Sequence, residues 1–329
     1  MKKHIITSLI IIVCLILLIL SPLLKNNKQD NNLTKVRVAE VTHSAFYAPF
    51  YVAIENNYFK NNGIDIDLIL TSGANNVTAA VLSKDVEIGF CGPEATIYIY
   101  NEGEKDYIQS FAGLTKRDGQ FLVSRKKIEN FKFNMLEGKE ILAGRVGGMP
   151  ILNFQNALDK TNTDAKKINI NTSIDFASLT GTFIAGTGDF VNLFEPNATK
   201  IEKEGYGYIV ASIGKYSGEM PYTAFNARKS YINDNKELIK KFTNSINEGL
   251  NFVKNNTSKT IADTIINQFP DTSKNDLETI IERYKEADSW LETPYITEKS
   301  FKNLEDIMIK DNQISKYVPY NKLINNFYE

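Results

Sequence analysis

The pattern of apolar and polar positions divides the chain into two unequal parts. Residues 5–24 are almost uniformly apolar and follow a short basic start, whereas the remainder alternates short apolar runs with amphipathic stretches. A helix of roughly 20 apolar residues spans the hydrocarbon core of a bilayer, and flanking lysines favour a cytoplasmic N-terminus. The pattern therefore predicts an N-terminal membrane helix and an extracytoplasmic remainder at the cell membrane.

This apolar segment could be retained as a membrane anchor, cleaved as a signal peptide or lipidated. It is longer than the roughly 7 to 15 apolar residues of a signal-peptide core, and residues 21–24 offer no clear small-x-small cleavage site. Cys14 follows Val13 in the middle of the apolar run, which is a poor position for lipidation. We expect a retained anchor with its linker in residues 1–33, and cleavage or lipidation at Cys14 are the alternatives.

Beyond residue 34, strand-like apolar runs alternate with helical patterns and short connections, which is typical of an α/β fold. In the first unit, strands are predicted at residues 36–41, 64–70, 86–91, 107–114 and 120–123. Helices are predicted at residues 46–59, 75–82 and 92–100. These elements form one complete unit of alternating strands and helices.

A second unit repeats this alternation after the mostly polar stretch 124–137. Its predicted strands are 140–143, 167–172, 189–194 and 208–213, and its predicted helices are 149–158, 175–184 and 196–204. From residue 235 onward the pattern is helical, with helices expected at 235–253, 258–267, 274–290, 297–310 and near residue 320. We expect lobe 1 to begin with residues 34–124, lobe 2 to comprise residues 125–224, and residues 225–329 to form a mostly helical return to lobe 1.

The charge, cysteine and histidine content of the chain limits the possible functions. The formal net charge is -1, with 38 basic and 39 acidic residues, so no strong field favours a nucleic acid partner. Outside the apolar segment Cys91 is the single cysteine, which excludes an intramolecular disulfide in the exported part. The two histidines, His4 and His43, are far apart, and no His/Cys cluster has metal-ligand spacing. We expect a monomer without a metal or another cofactor.

In open α/β sheets, ligands gather outside the carboxyl ends of the strands, so the residues at those positions are candidates for a binding site. In the first unit these candidates are His43, Phe46, Tyr47, Gly73, Asn75, Asn76, Gly92, Pro93 and Glu94. In the second unit they are Arg145, Gly147, Gly148, Met149 and Glu195, with Glu219 near the return to lobe 1.

Three segments of the chain resemble a known family. They are HSAFYAPFYVAIENNYFKNNGIDIDLIL from residue 43, SGANNVTAAVLSKDVEIGFCGPEA from residue 72, and IAGTGDFVNLFEPNA from residue 184. Together they resemble the solute-binding proteins of bacterial ABC importers, in the branch for aliphatic sulfonates, nitrate and thiamine pyrimidines. The resemblance implies a two-lobed type II periplasmic-binding-protein fold, with crossovers near residues 121–125 and 222–228. It also implies capture of a small solute in the cleft and its delivery to a permease with an ATPase partner.

Each candidate residue has a structural alternative. Phe46 and Tyr47 either pack in the core or offer aromatic faces to a flat solute. The glycines either form turns or expose backbone N–H groups to a ligand oxygen. Glu94 and Glu195 either offset a helix dipole or accept hydrogen bonds from a ligand.

The charge of these candidates bears on the solute. Two glutamates facing one desolvated cleft disfavour an anion, and Arg145 is the only nearby cation expected there. This balance favours an amino-substituted heteroaromatic solute such as a thiamine-pyrimidine precursor. An aliphatic sulfonate, taurine or nitrate is the alternative.

Two other function classes compete with transport. Pyrimidine-synthase enzymes resemble this family, and Cys91 with His43 could then act as thiol and base. However, the chain shows no cysteine-rich motif like theirs, and a lone buried cysteine is most often a small hydrophobe. A sensor or adhesion module is the third class. We expect a binding protein rather than an enzyme.

Overall fold

The computed structural model describes residues 33–328, and in that range ten strands form two five-stranded sheets. The first sheet contains β1 (Thr34–Glu40), β2 (Ile64–Leu70), β3 (Ile88–Cys91), β4 (Ile108–Thr115) and β10 (Thr223–Arg228), in the order β2-β1-β3-β10-β4. The second contains β5 (Phe121–Ser124), β6 (Glu140–Leu142), β7 (Asn169–Asn171), β8 (Phe190–Leu193) and β9 (Tyr208–Ser212), in the order β7-β6-β8-β5-β9. Each sheet is the centre of one lobe.

The membrane helix predicted at residues 5–24 lies outside the described residues. Among residues 33–328, no helix has the length and apolar character needed to cross a bilayer.

Both sheets are mixed in the same way. In the first, β1 runs parallel to β3, while β10 is antiparallel to β3 and β4. In the second, β6 runs parallel to β7 and β8, while β5 is antiparallel to β8 and β9. The antiparallel strands β5 and β10 are each the first strand after the chain enters their lobe from the other one. The chain therefore crosses between lobes at residues 116–120 and 218–222.

Each crossover lies just before the segment where it was expected, near residues 121–125 and 222–228. The segments expected to form crossovers are ladder strands, β5 and β10, and β5 belongs to the second sheet although residues up to 124 were expected in lobe 1. The polar stretch 124–137 interrupts the hydrophobic pattern, which suggested a lobe boundary there. In the structure it connects β5 to β6 within lobe 2.

Helices cover both sheets. Lobe 1 has α1 (Ala48–Glu55), α2 (Tyr58–Asn61), α3 (Ala74–Leu82) and α4 (Glu94–Asn101), and lobe 2 has α5 (Met149–Lys160), α6 (Leu179–Ile184), α7 (Asn197–Lys203) and α8 (Ile213–Ser217). The return comprises α9 (Lys229–Asp234), α10 (Lys236–Asn255), α11 (Ser258–Ile265), α12 (Lys274–Glu286), α13 (Glu298–Lys310) and α14 (Tyr320–Leu323). The helix expected over 46–59 is divided, because Asn57 adopts a left-handed φ of 59° between α1 and α2.

Side-chain caps fix the starts of the return helices. Thr257, Ser273 and Thr297 precede α11, α12 and α13, and each side chain accepts a hydrogen bond from the N–H three residues later. Such a cap satisfies one of the N–H groups that the first turn of a helix leaves free. The sequence therefore marks these three helix starts.

The core of lobe 1 is aromatic and lies between the sheet and the return helices. Phe90 on β3 stacks on Phe225 of β10, with ring centroids 4.2 Å apart. Phe225 also meets Phe50 of α1 and Phe242 of α10 at centroid distances of 5.1 Å. Because all four rings are fully buried, the helical return is an integral part of this lobe.

Candidate ligand-binding site

A cavity of about 350 Å³ lies between the lobes and is lined by residues that follow the carboxyl ends of strands in both sheets. Nine of the residues predicted from the sequence line it: Tyr47, Gly73, Asn75, Asn76, Gly92, Glu94, Arg145, Gly148 and Met149. This volume is typical of a site for a small organic molecule. The structure thus brings together, around one cavity, candidates that are more than 100 positions apart in the sequence.

Glu94 is the most deeply placed charged residue of the cavity wall. It is 1% exposed, and its Oε2 atom has no hydrogen-bond partner among residues 33–328. Burial raises the pKa of Glu94 to about 7, although the Arg145 guanidinium and the N–H groups of Glu94, Ala95 and Met149 oppose that shift. A Cβ at the neighbouring Gly92 would overlap Glu94 Oε2 and the Met149 side chain, so a larger residue there would displace both side chains.

Aromatic side chains form much of the wall. Tyr47 is 1% exposed, and its ring packs edge-on against Phe90 with centroids 4.4 Å apart. On the lobe 2 side, Phe176 and Phe194 pack at a centroid distance of 5.8 Å, and Tyr222 lies 6.4 Å from Phe194. Burial raises the pKa of Tyr47 and Tyr222, so both hydroxyls stay neutral. Rings at these positions can enclose a flat ligand.

Helix starts supply the polar part of the wall. Gly73 precedes α3 with a φ of 93°, and Gly148 precedes α5; neither start has a side-chain cap. The first N–H groups of a helix lack partners within the helix and can donate to a ligand. Of the two amides in the first turn of α3, Asn76 already donates from Nδ2 to the Ser72 carbonyl at 2.7 Å.

Two charged residues, Arg145 and Asp175, lie on the exposed lobe 2 side of the cavity. Neither forms an ion pair with any residue of the described range. The sole hydrogen bond of the Arg145 side chain within residues 33–328 is a long one, 3.4 Å from Nη1 to the Val146 carbonyl. Both side chains therefore remain available to a ligand at the mouth of the cavity.

Six predicted site residues do not line the cavity: His43, Phe46, Pro93, Gly147, Glu195 and Glu219. Glu219 is on the surface and pairs with Arg117 at 2.9 Å. Phe46 is buried behind the wall, against Gly119 in the first crossover and 5.3 Å from the Tyr284 ring. Pro93 occupies the position before α4.

His43 belongs to a separate polar cluster. Its Nδ1 lies 2.7 Å from Glu40 Oε1, and its Nε2 lies 2.8 Å from the Gln268 carbonyl oxygen. Burial lowers the pKa of His43, but the hydrogen bond and charge of Glu40 outweigh it and the net pKa is raised. Tyr51 donates to the other oxygen of Glu40 at 2.7 Å. This cluster stabilises the loop after β1, whose residues Val41 and Thr42 line the cavity.

Glu195 has its hydrogen-bonding capacity filled by protein groups. Its carboxylate accepts from the Thr199 N–H at 2.8 Å, from Thr199 Oγ1 at 2.9 Å and from Arg283 Nη1 at 2.8 Å. The contact with Thr199 is the helix-start role, and Arg283 on α12 could not be assigned from sequence because it lies 88 positions away. Glu195 therefore supports the cavity through its neighbour Phe194, which lines it.

Hydrogen bonds join the two lobes beside the cavity. Tyr98 of α4 donates to the Gly147 carbonyl at 2.8 Å, and Ser44 donates from Oγ to the Glu195 carbonyl at 2.6 Å. Gly147 has a φ of 74°, and a Cβ there would crowd Tyr98 and Gln313. Gly147 is thus a lobe-to-lobe contact.

Sequence reasoning missed several wall residues, chiefly Thr42, Asp175, Phe176, Phe194 and Tyr222. Asp175 and Phe176 follow β7, and Phe194 follows β8 directly, so the rule of strand ends would have included them. Tyr222 is in the second crossover, where only the packing of the two lobes reveals its position.

Known proteins are similar to this chain in sequence or in fold. The chain is 44% identical over 299 residues to YtlA of Bacillus subtilis (strain 168), a protein named for an assumed binding function, and the match covers 91% of this chain and 90% of that protein. The ligand-binding component of an ABC-type import system from Staphylococcus aureus, solved with zinc bound, superposes with a TM-score of 0.70 at 12% identity, covering 89% of this chain and 97% of that one.

A second solved structure has the same fold. The alkanesulfonate-binding protein SsuA from Xanthomonas axonopodis pv. citri, bound to MOPS, superposes with a TM-score of 0.69 at 12% identity, covering 89% of this chain and 98% of that one. These three relatives are named as binding proteins and none as an enzyme. The two solved structures establish the two-lobed periplasmic-binding-protein fold that the resemblance implied.

The sequence profile of the NMT1/THI5-like family matches residues 45–259, a range that includes most of the cavity wall on both lobes. With this match and the close relative in Bacillus subtilis, the family resemblance expected from the sequence is confirmed. The chain therefore belongs to the NMT1/THI5-like family.

Proposed function

We propose that this protein is the solute-binding component of an ABC importer and that it captures an amino-substituted heteroaromatic compound, such as a thiamine-pyrimidine precursor. The observation that carries the choice of solute is Glu94. A buried carboxyl with a free oxygen beside Tyr47, Phe194 and Tyr222 suits a flat ring that carries N–H donors. Such a ring fills the aromatic part of the cavity and supplies the partner that Glu94 Oε2 lacks.

An anionic solute is the second candidate. Arg145 is free of ion pairs within residues 33–328, α3 and α5 begin at the cavity, and the similar SsuA of Xanthomonas is named as an alkanesulfonate-binding protein. Against it, Glu94 and Asp175 line the same cavity, and an anion beside a buried carboxylate is repelled. A sulfonate, taurine or nitrate would therefore need Glu94 to stay protonated.

Binding rather than catalysis is the activity of such a site. Cys91 is fully buried, does not line the cavity and receives a weak hydrogen bond from Asn226 Nδ2 at 3.6 Å. Burial raises the pKa of the Cys91 thiol, which opposes formation of the nucleophilic thiolate. His43 is engaged by Glu40 and Gln268. The thiol-and-base alternative therefore has no support in the geometry.

We infer that transport begins when the solute binds between the lobes. Closure of the two lobes about the crossovers then encloses it, and the closed form delivers it to a permease driven by an ATPase. The protein acts as a monomer outside the cytoplasmic membrane, tethered by its N-terminal segment. The hydrogen bonds from Tyr98 to Gly147 and from Ser44 to Glu195 are suited to stabilising the closed form.

A thermal-shift screen of the purified 34–329 fragment tests the choice of solute. A ligand that binds only the folded protein raises the melting temperature by mass action. We expect aminopyrimidines to stabilise the protein, and mass spectrometry of the small molecule that copurifies to identify the same class. Stabilisation by taurine, alkanesulfonates or nitrate, without any response to heterocycles, would replace the first candidate by the second.

A further inference from the structure

The Glu94 carboxyl has an uncommon combination of surroundings. It lines the cavity and is 1% exposed, and Oε2 is without a hydrogen-bond partner among residues 33–328. No cationic side chain of the described range lies within 4.0 Å of it, so its charge is not neutralised by an ion pair. A buried ionised carboxylate without a counter-ion is costly. A ligand must therefore either neutralise this group or bind it in its neutral form.

The Arg145 guanidinium and the N–H groups of Glu94, Ala95 and Met149 favour the ionised form of Glu94, but burial outweighs them. Four neutral titratable side chains interact with it: Tyr47 before α1, Cys91 on β3, Tyr98 on α4 and Tyr222 in the second crossover. Burial raises the pKa of each, so they stay protonated near neutral pH. Arg145 is the charged neighbour from lobe 2, where it is exposed to solvent, and Asp175 lines the same cavity.

We propose that Glu94 and the solute share a single proton in a two-point hydrogen bond, so that binding selects a ring with an amino group beside an unprotonated ring nitrogen. This inference rests on the function proposed above. A carboxyl group accepts from the amino group through one oxygen and shares the proton with the ring nitrogen through the other. Whether the proton sits on oxygen or on nitrogen, the pair is neutral as a whole. A permanent cation, or a ligand that has only hydrogen-bond donors, would leave the carboxylate ionised, with no proton shared between the two.

A shared proton makes affinity depend on pH in one direction. Because burial raises the pKa of Glu94 to about 7, the free carboxyl already carries its proton below that pH. Above it the free carboxylate is ionised, and forming the pair takes one proton from solvent. By linkage, affinity for a neutral ring should fall about tenfold for each pH unit above 7. A ligand that needs the ionised carboxylate gives a different profile, with affinity rising as the pH rises toward 7 and constant above it.

Isothermal titration calorimetry tests this linkage, with 4-amino-5-hydroxymethyl-2-methylpyrimidine as the probe. Titrations at pH 6 and pH 8.5, each in two buffers of different ionisation enthalpy, give the number of protons taken up. We expect uptake close to one proton at the higher pH and close to none at the lower. An analogue with C–H in place of N3, the ring nitrogen beside the amino group, should bind at least tenfold more weakly.

Two variants distinguish the loss of a titratable group at Glu94 from a loss of folding. In Glu94→Gln the amide offers one donor and one acceptor, like a neutral acid, but cannot titrate, so its affinity should lose the decline above pH 7. Glu102→Gln changes an exposed glutamate at the other end of the same helix and should keep the wild-type slope. Circular dichroism melts of both variants without ligand check that each is folded.

The outcomes distinguish this inference from the proposed function. Tight binding of the probe without proton uptake, or affinity that rises with pH, overturns the shared proton and leaves the heteroaromatic solute intact. Glu94→Gln with the same decline as wild type also overturns it, because the proton then enters elsewhere. Failure of every amino heterocycle to bind overturns the proposed solute class and this inference together.

Discussion

At the scale of single residues, chemically similar side chains have different roles because their neighbours differ. Glu94 and Glu195 both begin or precede helices. Glu94 lines the cavity and its Oε2 has no hydrogen-bond partner among residues 33–328, whereas Glu195 is bound by Thr199 and Arg283. The sequence shows the helix start in both cases. It cannot show Arg283, because the ion pair depends on how α12 packs against α7, and this is why Glu195 was expected in the cavity.

Glu195→Gln should therefore affect stability. Loss of the charged hydrogen bond to Arg283 leaves that guanidinium with Glu202, and we expect a loss of about 1 to 3 kcal/mol in the free energy of unfolding, measured by urea denaturation. Glu202→Gln removes the more exposed partner of the same arginine and should cost less. Equal losses in both variants would contradict the view that the buried pair is the stabilising one.

His43 provides a pH-dependent contribution to stability. Its pKa in the folded protein is raised because Glu40 outweighs burial, so its contribution is fully present below the ordinary histidine value and is lost as the pH rises through the raised value. The difference in melting temperature between wild type and His43→Gln should therefore shrink as the pH increases from 6 upward. A difference that grows over the same range would show that His43 is neutral in the folded state.

At the scale of elements, the agreement with sequence reasoning follows from local signals. The starts of α11, α12 and α13 lie within one residue of the predicted ones, and the structure caps them with the side chains of Thr257, Ser273 and Thr297. The strand β10 was not predicted, because a strand buried on both faces between β3 and β4 lacks alternating polarity. Candidates chosen at strand ends account for nine residues of the cavity wall, whereas the crossover residue Tyr222 could be placed only by tertiary packing.

The contact of α10 with α1 predicts an effect that sequence alone does not. A Cβ at Gly249 would overlap the carbonyl oxygen of Pro49, which is backbone and cannot move aside cheaply. Gly249→Ala should lower the free energy of unfolding by about 1 to 3 kcal/mol, measured by urea denaturation. Gly181→Ala in α6 is the control, because nothing lies within 4 Å of a Cβ there. Similar stability of the two variants would mean that α10 shifts to absorb the extra methyl group.

At the scale of the whole molecule, the site exists only where two lobes meet. The wall takes Tyr47 and Glu94 from lobe 1 and Met149 and Phe194 from lobe 2, so neither lobe alone encloses a ligand. Contacts between lobes outside the wall should therefore contribute to affinity, since they stabilise the form that holds the ligand. Tyr98 offers a direct test, because its hydroxyl bonds the Gly147 carbonyl and the residue does not line the cavity.

Tyr98→Phe should weaken solute binding about two- to tenfold, the effect of one lost hydrogen bond of roughly 0.5 to 1.5 kcal/mol in the closed form. Calorimetry gives the affinity, and small-angle X-ray scattering of the ligand-free variant should show a larger radius of gyration than wild type if the lobes open more readily. Tyr100→Phe, two residues later on the same helix, has no contact with lobe 2 among its described ring and hydrogen-bond partners and should match wild type in both measurements. If Tyr98→Phe leaves affinity unchanged, the hydrogen bond to Gly147 does not favour closure, and the energy of the closed form must come from the ligand and the cavity wall alone.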